Sequence, residues 1–170
     1  MAYDYDKLYG STPQALGDPS SIFVDFFAHR SATQLRVLDV GCGQGRDAVF
    51  IARLGHRVTG VDLSPNGIAD LRAIARDEGL AIEAVVADIT TFAPNGDFDV
   101  ILIDRTLHML PKAAALDVLA RLLGCVRNPG WMLIADEKSN MQGFKDVVAA
   151  ETGTWTTTLD KGGALFLRRD

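Results

Sequence analysis

Residues 36–61, RVLDVGCGQGRDAVFIARLGHRVTGV, constrain this chain more than any other stretch, because an apolar run, three alternate glycines and an amphipathic segment follow one another directly. Arg36–Val40 is apolar and β-branched enough for a buried strand. Gly41, Gly43 and Gly45 then let the backbone turn tightly and approach a ligand with no Cβ in the way. Ala48, Phe50, Ile51 and Leu54 carry helical spacing as far as Gly55, and a second strand closes at Asp62. Strand, glycine turn, helix and strand form a unit suited to a nucleotide-like ligand. The dinucleotide fingerprint fits poorly, since it needs a third glycine where this chain has Arg46, a side chain that would crowd the helix against a pyrophosphate.

Gly-x-Gly-x-Gly after a strand carrying Asp39 resembles motif I of the class I S-adenosylmethionine-dependent methyltransferases. Three further landmarks stand in order at that family's spacing: Asp62 at the end of strand two, Asp88-Ile89 at the end of strand three, and FDVILID at 98–104 as strand four. The GCGQGRD turn, with its Arg-Asp continuation, is most similar to small stand-alone members such as the tellurite-resistance-type enzymes. The resemblance covers nearly everything after residue 35. It implies a three-layer, Rossmann-like α/β methyltransferase fold whose mostly parallel seven-stranded sheet has the order 3-2-1-4-5-7-6 and a C-terminal antiparallel hairpin.

The resemblance also assigns roles. S-adenosylmethionine, leaving as S-adenosylhomocysteine, would meet Asp39, Gly41, Cys42, Gly43, Arg46, Asp62, Leu63, Asp88, Ile89 and Asp104. Asp39 would orient the turn and the cofactor's amino group, or simply satisfy loop amides. An acid closing a buried strand is costly unless paired or wetted, and Ser64 already fills the N-cap role that could explain Asp62. Its carboxylate would therefore accept the ribose hydroxyls. Leu63 would pack on the adenine, and Asp88 and Ile89 would read it, unless Asp88 merely caps its loop. Arg46 either meets the methionyl carboxylate as a bidentate donor or pairs with Asp47 or Asp39.

Methyl transfer asks a protein to position the acceptor and, for a weak nucleophile, to remove a proton; it requires no metal. DRTLHML at 104–110 resembles the family stretch that lines the transferred methyl. His108 is the candidate base because imidazole titrates near neutrality, although packing beside Leu107 and Leu110 would also explain it. Arg105 could anchor an anionic acceptor, and Asp104 could hold either partner. Tyr3, Tyr5, Tyr9, Phe23, Phe26 and Phe27 crowd the N-terminal 35 residues, a cover segment in family members. Tyr5 and Tyr9 are the site candidates there, while the three phenylalanines suit packing on the sheet.

At 170 residues and 48% apolar content the chain reads as one domain, a cover segment at 1–35 followed by a core at 36–170. A net charge of −5 argues against a nucleic-acid partner. No apolar run approaches the roughly 18 residues of a membrane span, and MAYDYDKLYG has acids where a secretory signal is basic. A cytoplasmic location, no membrane partner and reduced Cys42 and Cys125 are the corresponding expectations. Ser64-Pro65 opens the second helix and Gly79 stops it, with Ile68, Leu71, Ile74 and Ala75 as its buried stripe. Strand three is expected over 82–87, with a turn at 94–96. Another helix runs from Pro111 through Leu123, with Asn128-Pro129-Gly130 closing it ahead of strand five at 131–136. One helix, at 141–151, separates that strand from a hairpin turning at Lys161-Gly162-Gly163.

The functional expectation is methyl transfer from S-adenosylmethionine to an unidentified small acceptor. Only one helix stands between Asp136 and Trp155, where many members insert a substrate lid, so the acceptor site is open or is covered by the N-terminal segment or another subunit; a homo-oligomer stays open. A non-catalytic cofactor-binding module is the alternative. A nicotinamide oxidoreductase is opposed by Arg46, and a nucleic-acid methyltransferase by the IDRT that stands where Asn/Asp-Pro-Pro-Tyr would be.

Overall fold

Alternating apolar runs and amphipathic segments produce a seven-stranded sheet of order β3-β2-β1-β4-β5-β7-β6, where β1 is Arg36–Val40, β2 Arg57–Asp62, β3 Ile82–Val86, β4 Phe98–Asp104, β5 Val126–Ala135, β6 Trp155–Lys161 and β7 Ala164–Arg169. This is a computed structural model that describes residues 4–28, 30 and 34–170. Tyr3 lies outside the described residues. The chain forms two compact units, one ending at Asp88 and one beginning at Ile89.

In the first unit β1 pairs with β2 and β2 with β3, all parallel, with Asp39 beside Gly60 and Asp62 beside Val86. The helices are α1 (Tyr5–Ser11), α2 (Ser21–Ala28), α3 (Arg46–Arg53) and α4 (Pro65–Glu78). Neither N-terminal helix was expected from the spacing, yet Phe23, Phe26 and Phe27 of α2 are buried, as packing residues should be. The start of α4 follows its residues: Ser64 accepts a hydrogen bond from the Gly67 amide at 2.9 Å, Pro65 occupies the first turn, and Gly79 ends the helix at φ +65°. Ile68, Leu71 and Ala75 are buried, whereas Ile74 is half-buried and Leu54, just past α3, is 48% exposed.

In the second unit β4 and β5 are parallel, while β7 runs antiparallel to both β5 and β6. The expected terminal hairpin is present, turning through Gly162 and Gly163, both at positive φ. The helices are α5 (Lys112–Leu123) and α6 (Met141–Ala150), and Phe98, Ile101, Leu102, Ile103, Leu119 and Phe144 form the core. One expectation needs correcting. Asn128-Pro129-Gly130 does not end the helix; α5 stops at Leu123, and β5 already pairs at Val126 before slipping register, so that Phe98 matches Val126 but Val100 matches Trp131. The proline and glycine sit in that irregularity, where a missing amide donor costs no ladder bond.

Candidate active site

Three glycines in left-handed backbone geometry shape the turn after β1: Gly41 at φ +77°, Gly43 at +53° and Gly45 at +87°. The turn folds back on β2, because the amides of Gly41 and Cys42 both donate to the Val61 carbonyl, at 2.8 and 3.1 Å. The Gly43 amide instead donates to Asp62 Oδ2 at 2.9 Å, while Asp62 Oδ1 accepts the Ser64 amide at 2.8 Å. Asp62 therefore ties the glycine turn to the head of α4. Each carboxylate oxygen has a second lone pair, so two acceptor sites remain on this half-buried side chain. Leu63, beside it, is 69% exposed.

Cys42 is buried, and its sulfur would lie 2.9 Å from any Cβ on Gly60. Burial first, then the nearby Asp39 and Asp62 carboxylates, push the thiol well above its ordinary value. Cys42 is thus an inert packing thiol under the turn. Arg46 pairs with Asp47, its Nε and Nη2 standing 3.3 and 3.1 Å from Oδ2. Asp39 is buried on β1, and Asp88 is exposed just past β3.

Two residues with no motif to mark them hold the N-terminal segment on this turn. Gln44 is buried; its Oε1 accepts the Ala15 amide at 2.9 Å, and its Nε2 donates to the Thr12 carbonyl at 2.9 Å and to Asp70 Oδ2 at 2.7 Å. Asp6 of α1 accepts the Ser64 hydroxyl at 2.5 Å and the Asn66 amide at 3.0 Å, acting as a second cap on α4 from 60 residues away. The Ser64 hydroxyl, then the Asn66 amide, hold the Asp6 carboxyl below its ordinary value. This docking is present at neutral pH and is lost as pH falls through that depressed value. Only a glutamine inside a glycine turn, where a small residue would suffice, could have signalled Gln44.

Tyr9 is buried with its hydroxyl 2.6 Å from the point a Cβ on Gly43 would occupy, and its ring centre lies 5.9 Å from that of half-buried Tyr5. Burial, then the charge of Asp62, push the phenol above its ordinary value. It is therefore a neutral hydroxyl at physiological pH. A cavity of about 810 Å³ beside this segment is lined by Tyr9, Leu16, Gln44, Arg46, Phe50 and Ile74, among others.

In the second unit the candidates gather past β4 and β5. Asp104 is half-buried, and its carbonyl accepts the Thr106 hydroxyl at 3.0 Å. The carbonyl of half-buried Ile89 is held by Arg121 Nη2 at 2.6 Å. Arg105 is exposed and adopts φ +50°, a geometry that costs a non-glycine residue on the order of 1–3 kcal/mol. Arg105→Gly should raise thermal stability by about 1 kcal/mol through relief of this strain. A lower melting temperature would show that guanidinium contacts outweigh it.

His108 lies in a short 3-10 turn, Leu107–Met109, with its imidazole 19% exposed. Its backbone amide donates to Asp136 Oδ2 at 3.2 Å, and its Nδ1 lies 3.6 Å from the same oxygen. Asp136, just past β5, was absent from the expected site. Its side chain is fully buried, and Oδ1 accepts the Glu137 amide at 2.7 Å and Asn140 Nδ2 at 2.9 Å. Leu107 and Leu110 line the same small cavity as His108, so the packing account of this histidine is also met.

Residues 37–130, more than half of the chain, match the family model described as "Methyltransferase domain", and the chain belongs to that family. A ubiquinone biosynthesis O-methyltransferase of Burkholderia orbicola (strain MC0-3) is 28% identical over 143 residues, covering 83% of this chain and 58% of the relative. The chain thus spans somewhat over half the length of that curated relative. Among solved structures, the N-methyltransferase NodS from Bradyrhizobium japonicum WM9, in complex with S-adenosyl-L-homocysteine, superposes with a TM-score of 0.70 at 16% identity, over 99% of this chain and 97% of that one. TehB from Haemophilus influenzae gives 0.69 at 22% identity, over 89% and 62%. These likenesses establish the class I methyltransferase fold. Among the described residues, no helix is long and apolar enough to cross a membrane.

Proposed function

We propose that the chain binds S-adenosylmethionine and methylates a small acceptor. The observation that carries this reading is Asp62, a carboxylate fixed at the end of β2 by the Gly43 and Ser64 amides with acceptor capacity to spare. A ribose diol supplies the two donors such an oxygen pair can still take. Exposed Leu63 offers an apolar surface for a base, and the bare start of α3, whose Gly45 N-cap brings no side-chain hydrogen bond, suits the methionyl carboxylate. Asp39, Gly41, Arg46, Asp88, Ile89 and Asp104 complete the proposed cofactor set, with Cys42 shaping the turn from below. Tyr5 and Tyr9 cover it, Tyr9 as a neutral hydroxyl.

The cofactor supplies a methyl on a cationic sulfur: the acceptor's electron pair forms the new bond to carbon, and the C–S pair stays on sulfur as neutral S-adenosylhomocysteine. What remains for the protein is to hold the acceptor and take its proton. His108 takes that proton and Arg105 anchors an anionic acceptor in this reading. The O-methyltransferase relative supports a small, weakly acidic hydroxyl as the acceptor class, and the net charge of −5 disfavours nucleic acid.

Calorimetry with S-adenosylmethionine, S-adenosylhomocysteine and NAD tests the cofactor, and methyl release over a panel of phenols, amines and thiols tests the activity. Binding of NAD alone would overturn the reading; cofactor binding without turnover on any acceptor would leave a binding module. Asp62→Ala should weaken S-adenosylhomocysteine binding by about 1.5–3 kcal/mol, the usual worth of charge-assisted hydrogen bonds. Unchanged affinity in a folded variant would remove Asp62 from the site.

A further inference from the structure

We propose that Asp136 is the positioning residue of His108: it holds the imidazole in one tautomer and stabilises its protonated form, making the pair a single acid–base device. The inference rests on the reading of His108 as the base.

The carboxylate of Asp136 has no exposed surface, and a buried charge is tolerated only when its lone pairs are met. Three donors meet it: the Glu137 amide and Asn140 Nδ2 on Oδ1, and the His108 amide on Oδ2. The second lone pair of Oδ2 faces His108 Nδ1 at 3.6 Å. That nitrogen is buried and has no hydrogen-bond partner at this distance. Each atom therefore needs what the other offers, and a closure of a few tenths of an ångström makes the bond. Catalytic hydrogen bonds are commonly this long before substrate tightens them.

Pairing at Nδ1 has a defined chemical consequence. A carboxylate can only accept, so Nδ1 carries the proton and Nε2 keeps the free lone pair. The acceptor's proton passes to Nε2, and the Asp136 carboxylate faces the imidazolium formed. The charged groups that line the small cavity at His108, of about 90 Å³, are Glu137, two residues past β5, and Lys112 from the start of α5. Neither is hydrogen-bonded to the ring.

The test begins on the unmodified protein. Nitrogen-15 NMR of the histidine rings, with the His108 signals assigned by their loss in His108→Gln, should show the Nδ1–H tautomer at neutral pH. Asp136→Asn should weaken that tautomer preference, because an amide accepts on one atom only. It should also reduce turnover roughly tenfold and shift the pH–rate profile, with the Michaelis constant for the acceptor little changed. An Nε2–H tautomer, or a tautomer preference unmoved by the substitution, would overturn the proposal. Should the NMR results hold while both His108→Gln and Asp136→Asn turn over normally, the base assignment itself falls. S-adenosylhomocysteine affinity, measured separately, shows whether the cofactor reading survives.

Discussion

His108→Ala is expected to lower turnover by roughly 100-fold or more, the usual contribution of a positioned general base, while S-adenosylmethionine affinity stays near native. The imidazole lies within one turn of the end of β4, it keeps a partly exposed edge, and its other side meets a buried carboxylate. In the proposed reading, removing it deletes the proton acceptor and leaves Asp62 and the glycine turn in place. The acid limb of the pH–rate profile that reports imidazole should vanish with it. A role in positioning alone would instead raise the acceptor's Michaelis constant and leave the pH profile in place. If His108→Ala and Arg105→Ala both leave turnover and acceptor affinity untouched, residues 104–110 are scaffold.

Gly43→Val should abolish cofactor binding more thoroughly than it destabilises the fold. Two costs coincide at this residue. Its φ of +53° is a geometry that β-branched side chains strongly resist, and any Cβ would stand 2.6 Å from the Tyr9 hydroxyl. The turn must shift, and the Gly43 amide then leaves Asp62. Strain of about 1–3 kcal/mol falls on the fold, whereas losing charge-assisted hydrogen bonds to the cofactor, about 1.5–3 kcal/mol, corresponds to a fall in affinity of roughly 10- to 200-fold. Calorimetry with S-adenosylhomocysteine, beside a thermal melt, separates the two effects. A variant that melts normally and binds with native affinity would make the turn purely structural and would displace the cofactor from it.

The legible parts of this molecule were those governed by local rules. The glycine turn, the Ser64-Pro65 helix start, the Gly79 stop and the Gly162-Gly163 hairpin each rest on a backbone geometry that few residues supply, so a single sequence displays them. The strand order came from the family resemblance, since no spacing along a chain reveals which strands become neighbours. Asn128-Pro129-Gly130 misled because proline and glycine suit an irregular strand as well as a helix stop. Gln44, Asp6 and Asp136 were illegible for a different reason. Their partners lie 26 to 60 residues away along the chain for Gln44 and Asp6, and 28 residues away for the bond from His108 to Asp136. Arg46 could be read two ways, and it bonds to Asp47 in the structure.

The Asp136 amide donates to the Gly163 carbonyl at 2.9 Å, and the Gly163 backbone lies so close to the Asp136 carbonyl that a side chain there would collide with it. The loop carrying this acid is thus braced by the turn of the last hairpin, whose strand β7 also closes the open side of β5. During synthesis, β5 leaves the ribosome well before its brace exists. The Asp136 backbone therefore lacks this hydrogen bond until residues 163–169 have emerged and folded back. A nascent chain stalled before the hairpin would carry the residues of the glycine turn and Asp62 but lack the bond that braces the Asp136 backbone.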